Sequence, residues 1–179
     1  LLWNEQYLYA GFSIDDNDVR DPSRDAQPWE DDSVELFIDG DFVRGPRNEH
    51  APQYTVRFND NQVFLNGAPS PVTAPIVQKT KRTPTGYTLE MAIPWEVIGV
   101  QPHAEKTIGI TSHVNDDDVI GGVRSYGVLG YTEQGLGDVT TTENYMEFVL
   151  KADPPPTLEG AIEITDIRFT DLTGETELT

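Results

Sequence analysis

The stretch "PWEDDSVELFID" (residues 28–39) decides the fold. A proline and a tryptophan lead into three acids, after which Val34, Leu36 and Ile38 alternate with Glu35 and Phe37. A period of two sends one set to a core and the other to the opposite face, as a strand requires and a helix does not. The stretch also raises a question: what does a large flat aromatic do beside so much charge, at the mouth of a strand?

Working outward, the same period recurs along the chain. In "YLYAGFSID" (7–15) Leu8, Ala10, Phe12 and Ile14 share a face, and in "QYTVRF" (53–58) Tyr54, Val56 and Phe58 oppose Gln53, Thr55 and Arg57. "NDN" (59–61) reads as a hairpin turn before "QVFL" (62–65). "GYTLEMAI" (86–93) sets Tyr87, Leu89, Met91 and Ile93 against Thr88, Glu90 and Ala92, and Pro94 then opens one short helical turn, "PWEVIG". "TIGITSHV" (107–114) sets Ile108, Ile110 and Val114 against Thr111 and His113, and "YMEFVL" (145–150) is a further strand. Turn-rich loops are expected over 16–32, 40–52, 66–85 and 115–144. Short strands with no helix long enough for a crossover predict an all-β fold, an antiparallel β-sandwich of jelly-roll type, over residues 1–151. "ADPPPT" (152–157) is too stiff for a sheet interior and reads as a linker. Residues 158–179 hold a last strand-like segment, in which Ile162 and Ile164 are in phase and Ile167 and Phe169 follow after a one-residue slip, as at a bulge.

Composition narrows the function. The 179 residues suit one large domain. Thirty-one acids against 12 bases give a formal charge of −19, which repels nucleic acid and anionic membranes and attracts cations. There is no cysteine for a disulfide or thiolate site, and no apolar run long enough to insert in a membrane. The chain opens on Leu1 rather than Met, which reads as a fragment or a processed chain. His50, His103 and His113 lie far apart, and no nucleophile, phosphate-loop or zinc-protease motif is present. Glu35 and Glu90 could form a glycosidase pair, but so acidic a chain offers such pairs by chance. An enzyme is not expected.

Four strands carry polar groups opposite their apolar set: Glu35; Gln53, Thr55 and Arg57; Glu90; and His113 running on to Asn115. If those strands are neighbours, the polar sides form one surface, with Trp29 at its edge. A sugar ring needs that pairing, an aromatic for its C–H face and hydrogen bonds for its hydroxyls. The alternative is an ordinary sheet face turned to water, with Trp29 packed locally. "DDND" (15–18) and "NDDD" (115–118) place Asp and Asn oxygens as calcium would use them, though these residues are also common turn formers.

These blocks resemble family 9 carbohydrate-binding modules. "LLWNEQYLYAGFSIDDNDV", "PWEDDSVELFID", "QYTVRF", "GYTLEMAIPWEVIG" and "IGITSHVND" fall in that family's order over residues 1–150. The resemblance implies a β-sandwich that clamps sugar between two tryptophans and carries structural calcium. It also implies an extracellular or cell-surface setting, as an accessory module of a secreted glycoside hydrolase or surface protein. Trp29 matches the first clamp tryptophan, Glu35 the glutamate of the next strand, and Asn115 and Asp116 the V-N-D segment. The chain departs in two places: Thr55 stands where binding members have arginine, with Arg57 further on. The second tryptophan is replaced within "RSYGVLGYTEQG" by Tyr126 or Tyr131. The expected sugar contacts are thus Trp29, Glu35, Gln53, Arg57, His113, Asn115, Tyr126 and Tyr131. The expected calcium ligands are Asp15, Asp16, Asp18, Asp116 and Asp118.

The family's usual opening segment resembles "PTLEGAIEITDIRF", here beyond the proline linker. That implies a strand completing the sandwich in its own chain or in a neighbour. The in-trans form is the alternative function: a self-associating subunit of an extracellular fibre or surface layer, built head-to-tail by strand donation.

Overall fold

A computed structural model describes residues 1–22, 27–66, 75–120, 123–131 and 139–151, with the backbone alone for 119, 120 and 123–131. The alternating segments form two antiparallel sheets. The smaller has the order β1-β2-β7-β6, from β1 (Leu2–Trp3), β2 (Tyr7–Asp15), β7 (Gly86–Pro94) and β6 (Val77–Thr83). The larger runs β10-β8-β3-β4-β5, from β10 (Met146–Val149), β8 (Thr107–Ile120), β3 (Ser33–Asp39), β4 (Gln53–Arg57) and β5 (Phe64–Leu65). β9 (Val123–Tyr131) also pairs with β8, along its second half.

The apolar set of each strand meets between the sheets. Leu8 and Ala10 of β2 and Tyr87, Leu89, Met91 and Ile93 of β7 face Val34, Leu36, Ile38, Tyr54, Val56, Ile108 and Ile110 of the larger sheet, all of them buried. That is the antiparallel sandwich expected from the period-two pattern. The short helix α1 (Trp95–Ile98) falls at "PWEVIG". It ends at Gly99, whose left-handed φ of 78° lets its N–H donate to the Trp95 carbonyl at 2.9 Å.

Three loop expectations are corrected. β6 occupies Val77–Thr83 within 66–85: "VQKTKRT" begins with its only apolar residue, because it is an edge strand whose exposed lysines discourage further pairing. The region 115–144 is not a loop at its start. β8 continues through "NDDD" and pairs with β9, with Asp117 opposite Tyr126. The hairpin after β4 has a longer connection than "NDN", since only Phe64 and Leu65 pair back. Residues 152–179, with the linker and the strand-like tail, lie outside the described residues.

The outer face of the larger sheet is not a simple solvated face. Every residue of β3 is buried. Two connections cover that face. The Gly45 carbonyl accepts from Thr142 N–H at 2.8 Å, tying the 40–52 connection to the segment before β10. The 3₁₀ turn Pro28–Glu30, which carries Trp29, lies against β3, β4 and β8.

Candidate functional site

Antiparallel register places opposed residues on the same face. Glu35 of β3 stands between Thr55 of β4 and His113 of β8, Phe37 between Gln53 and Thr111, and Ser33 between Arg57 and Asn115. The polar sides of the three strands therefore form one surface, with Glu35 at its centre. Glu35 is only 6% exposed. Gln53 Nε2 donates to Glu35 Oε1 at 2.7 Å and Thr55 Oγ1 donates to the same oxygen at 3.2 Å. His113 Nδ1 lies 3.4 Å from Oε2. Burial pushes the Glu35 carboxyl up, but hydrogen bonds from His113, Gln53 and Asn115 outweigh it and hold the group below its ordinary value. Asn115 Nδ2 also donates to Ser33 Oγ at 2.9 Å. The His113 Nε2 atom is buried without a partner.

One end of this surface carries the Trp29 turn. Gln27 N–H donates to Glu30 at 2.8 Å, which closes the turn. Trp29 is half-buried and takes no part in the core between the sheets. Arg57 fixes the turn from β4: Nη1 lies 3.1 Å from Asp31 Oδ2, Nε donates to Asp60 at 2.8 Å, and the guanidinium sits 4.8 Å over the Phe64 ring. In this structure Arg57 clasps the turn and does not stand open to a ligand.

The other end is built on Phe37, which is fully buried. The His113 ring meets it edge-on at 4.9 Å, Tyr145 at 6.3 Å, and the Arg47 guanidinium lies 5.9 Å above it. Of the expected sugar contacts, Glu35, Gln53, His113 and Asn115 come together, and Trp29 and Arg57 join at one end. The backbones of Tyr126 and Tyr131 pair with Asp117 and Ser112, while their side chains lie outside the described residues. Arg47 and Asn66 were missed. They come from connections whose sequence has no period to place them.

Acids converge beside the Trp29 turn. Ligand oxygens of Asp16, Asp32 and Asp116 lie within 4.8 Å of one another. Asp32 is 1% exposed and accepts from Arg20 N–H at 2.6 Å and Asp117 N–H at 2.8 Å. Burial pushes its carboxyl up to about 6; the amides of Asp117 and Arg20 oppose that, and Asp16 and Asp116 add to it. Two polar atoms nearby have no partner: the hydroxyl of Tyr87, whose proton the three acids help to hold, and Asp118 Oδ1. An all-oxygen donor set with orphaned buried atoms fits a hard divalent cation. Asp15 turns instead to Thr85, whose Oγ1 donates to it at 3.0 Å, and Asp18 lies 3.8 Å from Arg20. Asp32 was not among the expected ligands. The β3–β8 pairing brings it to Asp116, and Asp16 reaches both from the end of β2 in the other sheet.

The two-layer antiparallel sandwich thus presents hydrogen-bonding groups and a flanking tryptophan on one outer face. The chain belongs to the carbohydrate family 9 binding domain-like family, whose model matches residues 1–142. It is 37% identical over 129 residues to endo-1,4-beta-xylanase C of Paenibacillus barcinonensis, covering 70% of this chain and 11% of that protein. It is 33% identical over 137 residues to endo-1,4-beta-xylanase A of Thermotoga maritima, covering 74% of this chain and 12% of that protein. The chain thus spans a small part of the curated relatives it matches. A solved carbohydrate binding module of family 9 from Caldicellulosiruptor kristjanssonii, in complex with cellotriose, superposes with a TM-score of 0.68 at 23% identity, covering 87% of this chain and 77% of that one. A second structure from that organism, in complex with glucose, gives 0.62 at 21% identity, covering 88% and 77%.

Proposed function

We propose that this chain is a non-catalytic module that binds a neutral oligo- or polysaccharide over the Glu35 network, with Trp29 stacked on a sugar ring. The carrying observation is one buried carboxylate held by Gln53, Thr55 and His113, on a face with a half-buried tryptophan at its end. Fixed acceptors and donors orient hydroxyls, and an aromatic face adds C–H contact. The cellotriose- and glucose-bound family structures and the xylanase relatives support plant cell-wall glucan or xylan as the ligand class. The setting is extracellular, as one module of a longer protein. No described helix is long and apolar enough to cross a membrane. Isothermal titration with glucose, cellotriose and xylotriose tests the reading. Heat and saturation with at least one of them are expected, and silence across the panel with no affinity-gel retardation would sink it.

The same reading includes calcium at Asp16, Asp32 and Asp116, with Asp118 alongside, in a structural role. It would draw together three carboxylates that otherwise repel, next to the turn that carries Trp29.

A further inference from the structure

We propose that Arg47 is a positioning residue for sugar recognition, acting through Gln53 on Glu35; this rests on the sugar-binding reading. Arg47 reaches the polar face from the 40–52 connection, not from a strand. Nη1 donates to Gln53 Oε1 at 3.1 Å, Nε and Nη2 donate to the Ala51 carbonyl at 3.0 and 2.9 Å, and Nη2 donates to Asn66 Oδ1 at 2.7 Å. Asn66 Oδ1 in turn accepts from the Gln53 backbone N–H at 3.0 Å. One guanidinium thus holds both the side chain of Gln53 and the residue that caps its backbone.

The chemistry fixes the direction of the Gln53 amide. Arginine has only donors, so the amide atom facing it is the oxygen. The nitrogen is then left for Glu35, whose ionised carboxylate only accepts. The relay Arg47 → Gln53 → Glu35 is consistent at both junctions, and reversing the amide would break both at once. Because Arg47 also spans Ala51 and Asn66 and rests on Phe37, its fork is immobilised before any sugar arrives. A Gln53 locked in this way holds Glu35 Oε1 in one place and spares the ordering cost on binding. Lysine cannot do the same, since a single ammonium lacks the planar fork.

The test is a double-variant cycle with cellotriose as the probe. Arg47→Met, Gln53→Ala and the combination are titrated beside the unsubstituted chain, with far-UV circular dichroism and melting curves as fold controls. Arg47→Met should weaken binding about tenfold, the scale of one well-made hydrogen bond to a charged group. In the Gln53→Ala background the same change should cost almost nothing, because its intermediary is gone. Arg47→Lys should fall between. A merely structural role would reduce affinity equally in both backgrounds. Losses that multiply in the combination, or unchanged affinity in Arg47→Met, overturn the positioning role and leave sugar binding standing. If the unsubstituted chain binds none of the panel, the sugar-binding reading falls and this role with it. If Arg47→Met does not fold, the Arg47→Lys cycle is read by the same criterion.

Discussion

Glu35 is an acid buried among groups that favour its charge, and Trp29 is an aromatic left half outside the core. Both conditions lead to measurements. The folded Glu35 carboxyl titrates below its ordinary value of 4.5, so its ionisation contributes stability in full above that pH. That contribution is lost as pH falls through the lower folded value. Glu35→Gln should flatten the acid limb of melting temperature against pH and weaken sugar binding at neutral pH. An acid limb identical in the two proteins would show that other carboxyls govern it. Trp29→Ala should abolish sugar affinity with little change in melting temperature. Trp95, 2% exposed in the core, gives the contrast, since truncating a buried tryptophan costs about 3–5 kcal/mol. Large destabilisation in Trp29→Ala, with binding kept by the folded fraction, would contradict a platform role. At this scale the sequence was readable wherever strand parity applied: Glu35, Gln53 and His113 were placed by alternation alone. Arg47 was not, because it lies in a connection whose sequence has no period to place its side chain, and Asp32 was not, because it meets Asp117 across distant strands.

The elements were legible in proportion to their burial. β2, β3, β4 and β7 each bury an alternating apolar set, and all four follow the predicted phase. β6 was missed because an edge strand leaves most of its side chains in water and shows no such set. The second half of β8 was missed because acids at 116–118 resemble a turn; in the fold, Asp32 accepts the Asp117 amide and helps hold that extended path. The β6–β7 hairpin makes one sharp demand. Gly86 has φ 153°, and a β-carbon there would lie 2.0 Å from the Ile14 carbonyl oxygen. Gly86→Ala must therefore push β2 and β7 apart where they pair, at a cost on the order of 3 kcal/mol in chemical denaturation. An unchanged denaturation midpoint would mean the pairing of Asp15 with Gly86 is dispensable.

Over the whole molecule, the −19 charge includes three acids, Asp16, Asp32 and Asp116, that converge at one place. A cation bound only by the folded state raises stability by mass action, so millimolar calcium should raise the melting temperature and EDTA lower it. Terbium in place of calcium should show luminescence excited through Tyr87, whose buried hydroxyl feels the charges of Asp16, Asp32 and Asp116, and Tyr87→Phe should change it. Identical melting curves with calcium and EDTA, and dark terbium, would leave the cluster without a structural cation. The acids beside the Trp29 turn have one more consequence. They set a negative potential at the Trp29 end of the polar face, felt over a Debye length of about 8 Å at physiological salt. Glucuronate-decorated xylan fragments should therefore bind more weakly than undecorated ones of equal length, and the gap should narrow as salt or calcium is added. The cluster would then sort hemicelluloses by their side groups, acting as a charge filter ahead of any contact with the sugar ring.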